Sequence, residues 1–192
     1  MNTNMIPVGL SNRHLHLSQE DIETLFGKGY ELKRFKDLSQ PGQYAAEEKV
    51  DLVGPRGTLK GVRVLGPARS NSQVEVSLTD GFALGVVPPV RDSGDIVGSP
   101  GVKIVGPQGE VEIKEGVIAA ARHIHMHTDD AEKFGVVDKQ RVKVKTTGER
   151  SVVFENVLVR ANLDFALEMH VDIDEGNAAG LKNGDMVELI IE

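Results

Sequence analysis

Polar and apolar residues alternate along His14-Leu15-His16-Leu17, at the end of a segment from Val8 that reads as a half-buried strand. Ser18 then predicts a helix start. Asp21 three positions on gives it the look of a capping box, Ile22, Leu25 and Phe26 form one apolar face, and Gly27 marks the stop. Residues 44 to 113 predict strands and turns. Within them, Val50-Asp51-Leu52-Val53-Gly54-Pro55-Arg56-Gly57 returns as Val102-Lys103-Ile104-Val105-Gly106-Pro107-Gln108-Gly109. Each copy runs an alternating strand into a Gly-Pro-x-Gly turn whose proline suits the second turn position, so both predict hairpins.

A second echo carries chemistry. Arg13-His14-Leu15-His16-Leu17-Ser18 recurs as Arg122-His123-Ile124-His125-Met126-His127-Thr128, again followed by acidic residues suited to a helix N-terminus. A looser third copy runs His170-Val171-Asp172-Ile173-Asp174, with Ala179-Gly180-Leu181 and Asp185-Met186-Val187 paralleling Phe134-Gly135-Val136 and Gln140-Arg141-Val142. Repeated strand, short helix, strand units predict pseudosymmetric β-barrels capped by helices.

Composition agrees with a mainly β fold. The 192 residues, 40% of them hydrophobic, suffice to bury a core in one compact unit or two small ones, while 21 glycines, 8 prolines and many Val and Ile residues suggest short strands joined by tight turns, although aromatics are scarce. A net charge of -7 and a pI near 5.4 disfavour nucleic acid and anionic membrane as partners, so an anionic substrate needs a local basic site. The absence of cysteine rules out disulfides and thiolate metal ligands and leaves any metal to His, Asp or Glu. With no signal-peptide pattern and no bilayer-length apolar run, the expected location is the cytoplasm.

Alternation puts His14 and His16 on one strand face with Cα atoms about 6.5 Å apart, close enough to share a metal ion, and His123 and His125 likewise. A lone His-x-His is common on exposed strands; two in duplicated contexts are not. Imidazoles without thiolates favour zinc or another first-row transition ion. Either His127 or His170 can complete the second pair. His127 directly precedes Thr128, the expected helix cap, so His170 is preferred. Among the basic residues Lys36, Arg63, Arg69, Arg91 and Arg160, Arg69 stands out: Gly66-Pro67-Ala68-Arg69-Ser70 is a turn leading into the alternating strand Gln73-Val74-Glu75-Val76-Ser77. There Arg69 can grip phosphate bidentately and Glu75 can ligate metal; a surface ion pair is the competing reading.

Taken together, Ser11-Asn12-Arg13-His14-Leu15-His16-Leu17, Gly66-Pro67-Ala68-Arg69 with Gln73-Val74-Glu75-Val76-Ser77, Arg91-Asp92-Ser93-Gly94, Arg122-His123-Ile124-His125-Met126 and His170-Val171-Asp172-Ile173-Asp174-Glu175-Gly176-Asn177 resemble the PduL-type phosphate propanoyltransferase family over nearly the whole chain. The resemblance implies two side-by-side β-barrels capped by short helices, the N-terminal strand joining the C-terminal barrel. On this chain that means residues 1–29 with 112–192 in one barrel and 30–111 in the other. It implies two zinc ions, one on His14, His16 and Glu75 with the coenzyme A sulfur as fourth ligand, the other on His123, His125 and His170 with waters. Arg69, Ser93 and Arg160 would bind phosphate; Ser11, Lys36, Arg63, Leu65, His170 and Asn177 would surround coenzyme A.

The implied reaction interconverts propanoyl-CoA or acetyl-CoA plus phosphate with acyl phosphate plus coenzyme A, by direct transfer and with a functional link to an acyl kinase. A homo-oligomer is compatible with it. Microcompartment members of the family usually carry an N-terminal encapsulation helix, whereas this sequence starts close to the first motif, so a free cytoplasmic form is expected. Two other functions compete. A zinc hydrolase with His-x-His strands needs a (β/α)₈ barrel of about 250 residues, which is longer and richer in helix than this chain. A non-catalytic, metal-binding, microcompartment-associated protein would hold zinc without releasing coenzyme A.

Overall fold

The computed structural model describes residues 4–190. Among them the elements run β1 (Met5–Ser11), β2 (His14–His16), α1 (Gln19–Phe26), β3 (Arg34–Asp37), β4 (Tyr44–Val53), β5 (Thr58–Gly66), β6 (Gln73–Glu75), α2 (Leu78–Leu84), β7 (Val90–Arg91), β8 (Val102–Val105), β9 (Glu110–Ile113), β10 (Val117–Ala120), β11 (His123–Met126), α3 (Thr128–Phe134), β12 (Arg141–Lys145), β13 (Val153–Ala161), β14 (Glu168–Asp172), α4 (Ile173–Ala179) and β15 (Met186–Ile190). They form two compact units.

The first unit comprises the described residues through Ser11, the short segment Ser39–Pro41 and the described residues from Ala121 onward. Its six strands close into a barrel in the order β1-β14-β11-β13-β12-β15. The expected entry of the N-terminal strand is seen here: β1 runs parallel to β14 and antiparallel to β15. Alternation explains the closure, since Ile6 and Val8 of β1, Ile124 and Met126 of β11, Val157 and Val159 of β13 and Val187 and Leu189 of β15 all point inward and are essentially fully buried. Each such side chain contributes about 1.5–3 kcal/mol by leaving water.

The second unit, Asn12–Leu38 with Gly42–Ala120, is a nine-stranded sheet curled into half a barrel rather than closed; its order is β7-β10-β6-β2-β5-β4-β8-β9, with β3 on β4. Residues 12–29 and 112–120 group with this unit, and the N-terminal stretch changes units at Asn12. Its side-chain oxygen accepts the Arg13 N–H at 2.8 Å and breaks what reads as one strand from Val8 to Leu17; β2 then pairs with β5 and β6 instead of continuing β1.

The two Gly-Pro-x-Gly turns do close hairpins, β4 with β5 and β8 with β9. Each also finishes a helix: Arg56 N donates to Leu84 O of α2 and Gln108 N to Leu25 O of α1, both at 3.0 Å. Gly54 and Gly106 are needed for that approach, because a Cβ would fall 2.3 Å from Leu84 O and 2.6 Å from Leu25 O. No helix among the described residues is long and apolar enough to cross a membrane.

Candidate metal centres and phosphate site

In the second unit, antiparallel pairing sets His14 opposite Glu75 and His16 opposite Gln73. The ligand atoms offered by His14, His16 and Glu75 all lie within 4.8 Å of one another, and all three residues are buried. His14 Nδ1 lies 2.8 Å from the Asn12 carbonyl, to which it donates, so its Nε2 faces inward and stands 3.4 Å from Glu75 Oε2. The other carboxylate oxygen, Oε1, accepts from Gln73 Nε2 at 2.6 Å and from Ser93 Oγ at 2.8 Å. His16 bonds the Leu65 carbonyl, while its Nδ1 is buried with no hydrogen-bond partner among the described residues.

This arrangement fits a zinc ion. Two donors about 2.0–2.1 Å from a tetrahedral zinc lie about 3.4 Å apart, the observed separation of His14 Nε2 and Glu75 Oε2. A backbone carbonyl on the remaining ring nitrogen of His14, and two donors on the remaining oxygen of Glu75, are the outer contacts that orient metal ligands.

Electrostatics act in the same sense. Burial pushes His16 down to about 3, helped by the charges of His14 and Arg69, which keeps it neutral. Burial works against ionising Glu75, but the charge and hydrogen bond of His14 outweigh it and hold the carboxyl well below its usual range. Burial also lowers His14, and there the attraction of Glu75 wins, so its value ends above 6.5. His14 would have to lose that proton to serve as a metal ligand.

Arg69 sits beside this cluster as the sequence suggests. Its backbone N–H donates to Leu17 O at 2.9 Å, tying the turn to the chain just past His16, and its Nη1 donates to Ser93 Oγ at 3.2 Å. Gln73, which sequence reasoning passed over, is the hub: it is 3% exposed, donates to both Glu75 and Ser93, and accepts the Gly94 N–H at 2.8 Å. Its signal was the two-residue spacing from Glu75, which puts both on one strand face. Arg91 is engaged elsewhere, by Asp95 and the Val97 carbonyl.

In the first unit the ligand atoms of His123, His125 and His170 also lie within 4.8 Å of one another. β11 and β14 pair antiparallel with His123 opposite His170 and His125 opposite Glu168. The His14 arrangement repeats: His123 Nδ1 is 2.8 Å from the Ala121 carbonyl. Ring centroids stand 4.6 Å apart for His123 and His125, 5.2 Å for His123 and His170, and 5.0 Å for His125 and His170. Phe165, also missed from sequence, covers His125 at 4.4 Å, and the Arg160 guanidinium stands 5.8 Å from the same ring.

His127 stays outside the cluster. It, and not Thr128, is the N-cap of α3: its Nδ1 accepts the Asp129 N–H at 3.1 Å. Ser18 is a cap too, accepting the Asp21 N–H. The Asp21 carboxylate does not return to the Ser18 amide to complete a box, however; it takes the Ser72 hydroxyl instead.

Residues 7–182 match the phosphate propanoyltransferase family. The chain is 60% identical to a phosphate propanoyltransferase of Thermotoga maritima over 96% of its length and 89% of that protein's. It is 54% identical to one of Rhodopseudomonas palustris, over 96% and 81%, and 50% identical to one of Clostridioides difficile, over 96% and 88%. This chain belongs to the phosphate propanoyltransferase family.

The coenzyme A positions suggested by resemblance to the phosphate propanoyltransferase family are spread over both units. Ser11 pairs with Asp172, the N-cap of α4, on the strand that carries His170, and Asn177 lies in α4 itself. Lys36 is exposed on β3. Arg63 pairs with His14 in register, donates to the Ala46 carbonyl and stacks on Phe35 at 4.7 Å. Leu65 contributes its carbonyl to His16.

Proposed function

We propose that this chain transfers a propanoyl group, and also an acetyl group, between coenzyme A and inorganic phosphate by direct attack, with zinc ions on His14, His16 and Glu75 and on His123, His125 and His170. Family membership supports the acyl transfer. The observation that carries the zinc reading is the first cluster, a buried two-His, one-carboxylate set with its outer contacts already in place. Acyl selectivity between acetyl and propanoyl turns on one methylene, which a pocket discriminates weakly.

In the forward direction a phosphate oxygen attacks the thioester carbonyl carbon. The C–O bond forms as the C–S bond breaks, and coenzyme A leaves as its thiolate, which takes a proton on release. Zinc, when bound, lowers the pKa of a thiol and polarises a carbonyl oxygen. Arg69 holds and orients the phosphate, its guanidinium fixed through Ser93 and its backbone through Leu17. Arg160 is proposed as a second phosphate cation.

The Ser93 hydroxyl is committed to its neighbours and not poised as a nucleophile: its oxygen accepts from Arg69 and Gln73 while its proton goes to Glu75. With no cysteine in the chain, a thioester intermediate on the protein is excluded. Isotope exchange tests this. Labelled coenzyme A should not enter propanoyl-CoA when phosphate is absent. Rapid exchange without phosphate would reveal an acyl-enzyme and overturn direct transfer.

A further inference from the structure

The two clusters share a plan that reaches beyond their ligands. Gln73-Val74-Glu75-Val76-Ser77-Leu78-Thr79-Asp80-Gly81-Phe82-Ala83-Leu84-Gly85 corresponds position by position to Glu168-Met169-His170-Val171-Asp172-Ile173-Asp174-Glu175-Gly176-Asn177-Ala178-Ala179-Gly180. Both segments run from a strand into a capping box, Ser77 with Asp80 and Asp172 with Glu175. Both continue as a seven-residue helix and end on a left-handed glycine, Gly85 and Gly180. Glu75 and His170, the third ligands, therefore occupy the same place. So do Gln73 and Glu168, two residues earlier, each paired in register with the second histidine of its motif, His16 or His125.

These earlier residues also touch the third ligand, with complementary chemistry. The Gln73 amide is a donor and meets a carboxylate, Glu75 Oε1, at 2.6 Å. Glu168 is an acceptor and meets an imidazole: its Oε2 lies 2.8 Å from the buried His170 Nε2, a close ionic contact without the alignment of a hydrogen bond. Glu168 is itself held. The Ser39 hydroxyl donates to Oε2, and the backbone at Gly9 packs so closely that a Cβ there would fall 2.8 Å from Glu168 Cδ.

We infer that Glu168 is the positioning residue of the second metal centre: it takes the Nε2 side of His170 and leaves Nδ1 for the metal, the role Gln73 performs for Glu75. This rests on the reading that His123, His125 and His170 bind metal. A carboxylate behind a ligating imidazole fixes its tautomer and ring orientation and raises its basicity, and losing such a partner typically weakens metal binding 10- to 100-fold.

Cobalt(II) titration followed by visible absorption tests the inference in a His14→Ala background, which confines metal to the second centre. Glu168→Gln should weaken cobalt binding 10- to 100-fold and shift the visible bands, with Glu168→Asp recovering part of the loss. Gly9→Ala provides a second route. Its methyl group pushes the Glu168 carboxylate aside without changing any ligand, and it should weaken binding in the same direction. If Glu168→Gln and Gly9→Ala both titrate like the parent, Glu168 does not position His170. If the parent itself takes up no cobalt, the metal reading falls and this inference with it.

Discussion

The cluster on β2 and β6 is built around a carboxylate, and the one on β11 and β14 around a third imidazole. The first is buried on all three ligands and tied through Glu75, Gln73 and Ser93 to Arg69. The second has His123 and His170 half-buried and an aromatic ring, Phe165, against His125. With a divalent ion the first set carries one net positive charge and the second two. One scaffold thus carries a buried cluster tied to an arginine and a more exposed, all-imidazole cluster. The identity of a single strand residue, Glu75 or His170, sets much of the difference.

Removing that residue should produce the largest effects. Glu75→Ala and His170→Ala should each lower zinc content by one ion per chain, measured by atomic emission, and cut kcat/KM by about 10³-fold, since the several kcal/mol that a metal supplies to a transition state convert to that factor. If either variant kept two ions, its cluster would not be a metal centre. Next, Arg69→Ala should lower kcat by about 10²–10³-fold, the usual cost of losing one preorganised charge-stabilising donor, while both zinc ions stay. Arg69→Lys should fall between, as a point charge cannot grip phosphate in the same fork. Steady-state kinetics with phosphate varied would separate the two substitutions.

Acid should weaken the metal-free first cluster. His16 is held near 3 in the folded chain and stands at 6.5 unfolded, so unfolding takes up a proton as the pH falls below 6.5 and stability drops. Glu75, held below 4.5, adds a loss in the same direction at lower pH. His14 acts oppositely, since its raised value stabilises the fold below 6.5 and that contribution fades as the pH rises through the folded value. Melting curves of the metal-free protein should therefore show Tm declining from pH 6.5 toward 4.5, and bound zinc should reduce the decline.

The smallest effect separates a capping histidine from the ligating ones. His127→Ala should cost no more than about 1 kcal/mol through the lost cap, a Tm change of about 2–4 °C, with two zinc ions and full activity retained.

Strand alternation made His14, His16, His123 and His125 legible as paired ligands, and the Gly-Pro-x-Gly echo gave both hairpins. Residues 12 and 13 escaped because they lie in a polar run, Ser11 to His14, with no glycine or proline to mark a break, while the break depends on one side-chain oxygen of Asn12 reaching a backbone amide. His127 escaped as a cap because histidine is not among the residues that usually fill that position. The correspondence of 73–85 with 168–180 was hidden by its chemistry: only Val76, Gly81, Ala83 and Gly85 keep their identity, as Val171, Gly176, Ala178 and Gly180, and the ligand itself changes from Glu to His. Strand register and capping geometry reveal what residue identity conceals.

The most direct test measures thiol released from propanoyl-CoA by zinc-loaded and zinc-stripped protein, each with and without phosphate, and identifies the acyl product. Thiol release, with propanoyl phosphate as product, should require both zinc and phosphate. Release that persists at the same rate after stripping, or that yields free propanoate when phosphate is left out, would contradict transfer to phosphate at metal centres.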